Sequence, residues 1–162
     1  MEAALRTFFS SPRFAVAGAS SDPSKFGHKV FAWYLLHSLP ATPVNPRCPS
    51  VNVLSRSHTT VPGPSALQSP SETSLSVITP PPVTLKLLKE AKEAGIPAVW
   101  LQPGSFDDEG LAYARKEFKA AIAGMEPGTD GLASVGGEGW CVLVDGERGL
   151  SIAGRKWERL KL

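Results

Sequence analysis

The sequence predicts an α/β protein, a Rossmann-like, doubly wound and mainly parallel sheet in a single domain with a C-terminal β extension. Three observations carry this. Short apolar runs bounded by glycine or proline alternate with segments of helical periodicity, the pattern of strand–helix–strand units. The strand-like runs are apolar almost throughout, as strands covered on both faces must be. The chain has 162 residues, enough for one domain with a substantial core and few for two. Strands joined through helices then imply right-handed crossovers.

The elements follow in order. "RFAVAGAS" (13–20) reads as the first buried strand, broken at Gly18. A helix from about Ser24–Gly27 to His37 places Phe26, Val30, Trp33, Tyr34 and His37 on one face by their three- and four-residue spacing. "ATPVNP" is a second, brief strand ended by Pro46. From Arg47 to Ser74 the pattern is weakest: "SVNVLS" suits a strand or an irregular extension, and the proline- and serine-rich run after it suits a long loop with a helical turn. "LSVITP" is a strand and "PPVTLKLLKEAKEAG" a helix, with Pro82 in its first turn and Gly95 as its left-handed stop. "PAVWLQPGS" repeats the strand-then-break pattern, and Ser105 with Asp108 offers an S-x-x-D cap to the next helix. "AAIAG" is the last parallel strand. "GWCVLVDGERGL" alternates as a hairpin turning at Asp145-Gly146. The core thus spans about 13–124, and 125–162 forms an extension and basic tail.

Composition narrows the function. Apolar residues are 42% and charged residues 20%, ordinary for a soluble globular chain. A net charge of +2, spread evenly, argues against nucleic acid; the one basic cluster, "GRKWERLKL", reads as an exposed tail. No apolar run approaches the ~18 residues of a membrane span. No charged-then-apolar leader follows Met1, and the two cysteines, Cys48 and Cys141, make no disulfide framework, so a reduced, cytoplasmic setting is expected.

In an open parallel sheet, ligands lie beyond the carboxyl ends of the strands, where strand order reverses. Four small, polar or proline-rich turns should converge there: "GASSDPSKFG", "VNPR", "TPPPV" and "QPGS". In the first, Gly18 permits the reversal and the following helix N-terminus attracts negative charge. The spacing is not the G-x-G-x-x-G of a dinucleotide site. The loop is longer and adds the hydroxyls of Ser20 and Ser21 and the cation of Lys25. At the end of the second strand an NAD site keeps an Asp or Glu for the ribose, but here stand Asn45, Pro46 and Arg47. A guanidinium there suits a ribose phosphate. NADP and coenzyme A both fit this reading, and NAD is disfavoured.

"VAGASSDPSKFGHKV", "PVNPR", "VITPPP" and "AVWLQPGS" together resemble the stand-alone CoA-binding domain proteins, which are similar to the N-terminal CoA-binding domain of the succinyl-CoA synthetase α subunit. The resemblance covers roughly Arg13 to Gly124. It implies a Rossmann-like fold holding CoA or an acyl-CoA across the sheet edge. Gly18, Ala19, Ser20, Ser21, Lys25 and Gly27 would lie at the phosphates with Phe26 and Val30 beside them. Asn45, Pro46 and Arg47 would lie at the adenosine end. Thr79, Pro80, Pro81 and Val83 would line the middle, and Gln102, Pro103 and Gly104 would face the pantetheine.

No catalytic group stands out. His28 opens a helix, His37 ends one on its apolar face as a structural histidine would, and His58 lies in the weakest segment. Cys48 follows Arg47, which could lower its pKa for a mixed disulfide with CoA, whereas Cys141 reads as core. No metal-ligand spacing, P-loop or G-x-S-x-G is present. Two alternatives remain: an NADP-dependent oxidoreductase, although Tyr34 and Tyr113 lack the Y-x-x-x-K spacing, and an enzyme acting on a CoA thioester. In the second, "ASVGGEGWCVLVDGE" would cover the ligand, with Glu138, Asp145 or Glu147 as base. Trp140 and Trp157 could pack on the core or on a second copy in a homodimer.

Overall fold

The computed structural model describes residues 1–162. The elements are α1 (Glu2–Ser10), β1 (Arg13–Ala17), α2 (Phe26–Leu36), β2 (Ala41–Val44), β3 (Ser50–Val53), β4 (Arg56–Thr59), β5 (Thr73–Val77), α3 (Pro81–Ala94), β6 (Ala98–Leu101), α4 (Asp108–Glu117), β7 (Ala120–Ile122) and α5 (Val142–Ala153). Five strands make one parallel sheet in the order β2-β1-β5-β6-β7, the doubly wound α/β arrangement expected. The chain moves outward one way from β1 to β2 and then crosses to β5 on the other side, so strand order reverses between β1 and β5.

Both faces of the sheet are covered, which is why its strands are apolar throughout. On one face Phe8 and Phe9 of α1, Trp33 and Tyr34 of α2 and Leu150 of α5 pack against Phe14 and Trp100. On the other, Leu88 and Ala91 of α3 and Ala114 of α4 pack against Leu75, Val77, Val99 and Leu101.

Four sequence expectations are corrected. The "GWCVLVDGERGL" hairpin is the helix α5, so the C-terminal extension is helical rather than β. Its Asp145-Gly146 pair is helical because Asp145 is fully buried and Gly146 lets α5 approach α2, where an added Cβ would lie 2.4 Å from the Trp33 ring. The segment after "SVNVLS" is not all loop: β3 and β4 form an antiparallel ribbon, with Leu54 and Ser55 at positive φ in its turn. The cap of α4 is not Ser105 with Asp108 but Asp107, whose carboxylate accepts from the Gly110 amide at 2.8 Å. Ser105 instead donates to the Gln102 carbonyl. The basic tail is only partly exposed: Arg155 donates to the carbonyls of Phe9 and Ser11 and sits over the Phe14 ring.

Trp140 is fully buried in this chain's own core, and Trp157 packs on His37. No helix is long and apolar enough to cross a membrane.

Candidate functional site

The site is built where β1, β2, β5 and β6 end. Gly18 ends β1 at φ +94°, a conformation glycine adopts without strain. Its amide donates to the Val44 carbonyl, which ties the first turn to the second. An added Cβ on Gly18 would lie 3.2 Å from the Ile78 carbonyl carbon, so this turn also touches the third. Gly27, in the first turn of α2, lies so near the loop that a Cβ would be 1.9 Å from the Gly18 oxygen. The two glycines therefore let helix and strand meet backbone to backbone.

Asn45 is the second fastener. Its side-chain amide donates to the Ala19 carbonyl at 3.0 Å, and its side-chain oxygen accepts from the Arg47 amide at 2.9 Å. Asn45 thus holds the first loop against the end of β2 and sets the backbone at Arg47. The Ser21 hydroxyl accepts from the Asn52 amide, joining the loop to β3. His28 contacts the Ser20 carbonyl through Nδ1 at 2.9 Å and braces the loop from below.

This geometry leaves donors free at the junction. No side chain caps α2, and the amides of Ser20, Ser21, Phe26 and Gly27 donate to nothing within the chain. Lys25 and Arg47 are exposed and in no ion pair. One carboxylate also stands here, Asp22. The Ser24 hydroxyl and amide both donate to it, at 2.7 and 3.0 Å, and hold its carboxyl below the usual carboxylate range. The loop is accordingly not free of acidic residues, but Asp22 is engaged by Ser24.

The start of α3 is the opposite kind of helix end. Residues 80, 81 and 82 are prolines and carry no amide hydrogen, while the Val83 and Thr84 amides both turn back to the Pro80 carbonyl. It offers nothing to an anion. Beside it opens a cavity of about 660 Å³, walled by Phe26, Ile78–Pro81, Gln102–Ser105, Gly136–Gly139, Cys141, Leu143 and Val144.

Of the predicted residues, Phe26, Thr79, Pro80, Pro81, Gln102, Pro103 and Gly104 line this cavity, and Gly18–Ser21, Lys25, Gly27, Asn45, Pro46 and Arg47 lie at the adjoining turns after β1 and β2. Val30 and Val83 are not brought to this cavity, and Phe26 and Val30 do not share a face. Val30 is fully buried in the core and reaches no ligand surface, whereas Phe26 is 55% exposed and turns toward the cavity. Val83 is exposed but outside the cavity wall.

Residues beyond 131, which the thioester-enzyme alternative laid over the ligand as part of a hairpin, supply much of the wall as a loop and the start of α5. The missed signal was Asp145. Fully buried, it accepts from the Ser134 hydroxyl, the Val135 amide and the Cys141 amide at 2.8, 3.0 and 3.1 Å, with Arg148 at 3.5 Å. It folds the glycine-rich 134–141 loop against α5. Cys141 is half-buried at the cavity rather than in the core; the Gln102 amide nitrogen lies 3.2 Å from its sulfur, and the Gln102 oxygen accepts from Val142 at 2.8 Å. Of the three acids considered as a base, only Glu138 borders the cavity. Asp145 is spent on the loop, and Glu147 pairs with His37 at 3.0 Å elsewhere.

The other histidines are structural. His37 is buried between Trp33 and Trp157, and His58 stands edge-on to Phe31. Tyr34 is fully buried, its hydroxyl 2.7 Å from that of Ser76, with burial holding the phenol well above its ordinary pKa.

Comparisons with known proteins agree with this anatomy. A family model described as "CoA binding domain" matches residues 12–131. Among solved structures, the chain is similar to a conserved hypothetical protein from Pyrococcus furiosus, with 26% identity and a TM-score of 0.59, covering 67% of this chain and 90% of that one. It is also similar to the cell-free ID.343 protein of Thermus thermophilus, with 26% identity and a TM-score of 0.63, covering 75% and 90%. A hypothetical protein from Pyrococcus horikoshii shares the fold at 21% identity and a TM-score of 0.64, covering 75% and 83%. No curated protein matches. With nearly three quarters of its length matched by that model, and the glycine junction, Asn45 and the proline turn all within the matched span, the chain belongs to the CoA binding domain family.

Proposed function

We propose that this protein binds coenzyme A or an acyl-CoA, with the phosphates at the start of α2, the 3′-phosphate at Arg47 and the pantetheine arm entering the cavity beside α3. The observation that carries the reading is the contrast between two neighbouring helix starts. One presents free amides with Lys25 and Arg47 nearby; the other is three prolines with no donor. A ligand with a charged end and an uncharged arm is complementary to that pair. CoA has a diphosphate and a 3′-phosphate at one end and a neutral, thiol-ended arm at the other.

NADP shares the ribose phosphate but places a polar, cationic ring where this protein offers prolines and apolar side chains. Its chemistry would also call for a proton donor, and Tyr34 is buried on the far side of its helix from solvent.

Calorimetric titration tests the assignment of the two cations. Lys25→Ala and Arg47→Ala should each weaken CoA binding by ~1–3 kcal/mol, the scale of a charge-assisted hydrogen bond. Dephospho-CoA, which lacks the 3′-phosphate, should erase most of the Arg47 effect and little of the Lys25 effect. Identical responses of both variants to dephospho-CoA would refute the placement.

A further inference from the structure

We propose that residues beyond the family-matched span turn the arm end of the site into a pocket selective for uncharged, apolar acyl groups, so that the preferred ligand is a CoA thioester of a neutral fatty or branched acid. The inference rests on the CoA reading above and adds the chemical class of the thioester. Family resemblance accounts for residues 12–131. Part of the cavity wall comes from later residues, Gly136–Gly139, Cys141, Leu143 and Val144.

Three features of this wall decide what it accepts. The cavity, at about 660 Å³, lies well inside the ~300–1,000 Å³ range of pockets that enclose a drug-sized ligand, room for the end of the pantetheine arm together with a short acyl chain. Its larger side chains are apolar, Phe26, Ile78, Leu143 and Val144 all lining it. Phe26 and Val144 are 55% and 50% exposed, large apolar groups whose burial by an acyl chain would be favourable.

The charge distribution excludes the other main class of acyl group. No lysine, arginine or histidine lines the cavity, and its one charged residue is Glu138. Of the helix ends around it, α3 begins in prolines and the Cys141 and Val142 amides of α5 are taken by Asp145 and Gln102, which leaves the free amides of α2 on the side assigned to the phosphates. A terminal carboxylate, as in a malonyl or succinyl thioester, would enter a cavity whose lining holds no cation and one like charge; Lys29 stands over the Phe26 ring at 5.3 Å but is not part of that lining.

The test is calorimetric titration of the full chain with CoA, acetyl-CoA, butyryl-CoA, hexanoyl-CoA and succinyl-CoA, in the wild type and in Glu138→Lys. Affinity should rise with neutral chain length, by up to about fourfold per methylene that enters the wall (~0.8 kcal/mol each), and succinyl-CoA should bind at least tenfold more weakly than butyryl-CoA. Glu138 is exposed, so the substitution leaves folding intact, and it should shrink or reverse the butyryl-to-succinyl preference. Equal affinities for CoA and every thioester, or a preference untouched by Glu138→Lys, would overturn the acyl pocket while leaving CoA binding standing. Absence of binding by CoA and all thioesters alike would overturn the CoA reading itself, and this inference with it.

Discussion

Gly27→Ala tests the junction on which the ligand site is built. The substituted methyl would lie 1.9 Å from the Gly18 oxygen and 2.9 Å from its carbonyl carbon, both backbone atoms. No side-chain rotation relieves such a contact; α2 must move away from the β1 turn. Alanine favours a helix interior over glycine by ~1 kcal/mol, while overpacking a tight site costs ~1–3 kcal/mol. A 1.9 Å backbone overlap belongs beyond the upper end of that range, so a net loss of about 2 kcal/mol follows. For a domain of this size that lowers Tm by roughly 4–8 °C. The same displacement separates the free amides of Phe26 and Gly27 from the loop, so CoA affinity should fall by at least about tenfold, ~1.4 kcal/mol. Thermal unfolding with and without CoA reads both effects. Gly110→Ala is the control: its Cβ would meet the Asp107 carboxylate at 3.4 Å and the Phe106 Cβ at 3.8 Å, both ordinary contacts, so stability should hold or rise by up to ~1 kcal/mol and affinity should be unchanged. A Gly27→Ala protein that binds CoA as tightly as the wild type would show that the phosphates do not lie at this junction.

Other outcomes follow from the same contacts. Asp145→Ala removes a fully buried carboxylate that accepts three hydrogen bonds and faces Arg148, so urea denaturation should show a loss of ~3–5 kcal/mol; a loss below ~1 kcal/mol would mean the 134–141 loop is held by something else. Tyr34→Phe leaves the Ser76 hydroxyl without its partner and should cost ~1 kcal/mol at neutral pH. Tyr34 also sets an alkaline limb. Its folded pKa is raised by burial, so its contribution is fully present below the unfolded value of 10.0 and declines as pH rises past it, because only the unfolded chain releases the proton there. Stability should fall above about pH 10 by up to ~1.4 kcal/mol per pH unit, and Tyr34→Phe should flatten that limb; an unchanged slope in the variant would refute the assignment.

The sheet and the first half of the site were readable because their residues serve one constraint each. β1, β5, β6 and β7 are buried on both faces and bounded by glycine or proline, so apolar runs with breakers identified them. Gly18, Asn45 and the prolines at 80–82 do backbone work that few other residues can do. Where one residue serves two constraints, the pattern misled. Gly146 and Asp145 look like a turn pair, yet the glycine is there for contact with Trp33 and the aspartate to anchor a loop eleven residues away. Spacing alone put Phe26 with Val30, although the first turn of α2 faces the cavity and the second faces the core. The helix α1 carries no such signature: it is nine residues long with no side-chain cap, and its Leu5, Phe8 and Phe9 are buried together with Leu150 of α5, whose own sequence alternates like a hairpin.

The most direct measurement of the central claim is a parallel calorimetric titration of the unmodified protein with CoA, NADP and NAD under identical buffer and salt. Charge-guided entry of a phosphorylated adenosine with a neutral arm predicts saturable binding of CoA, much weaker binding of NADP and none of NAD. Tight NADP binding without any heat from CoA would contradict it.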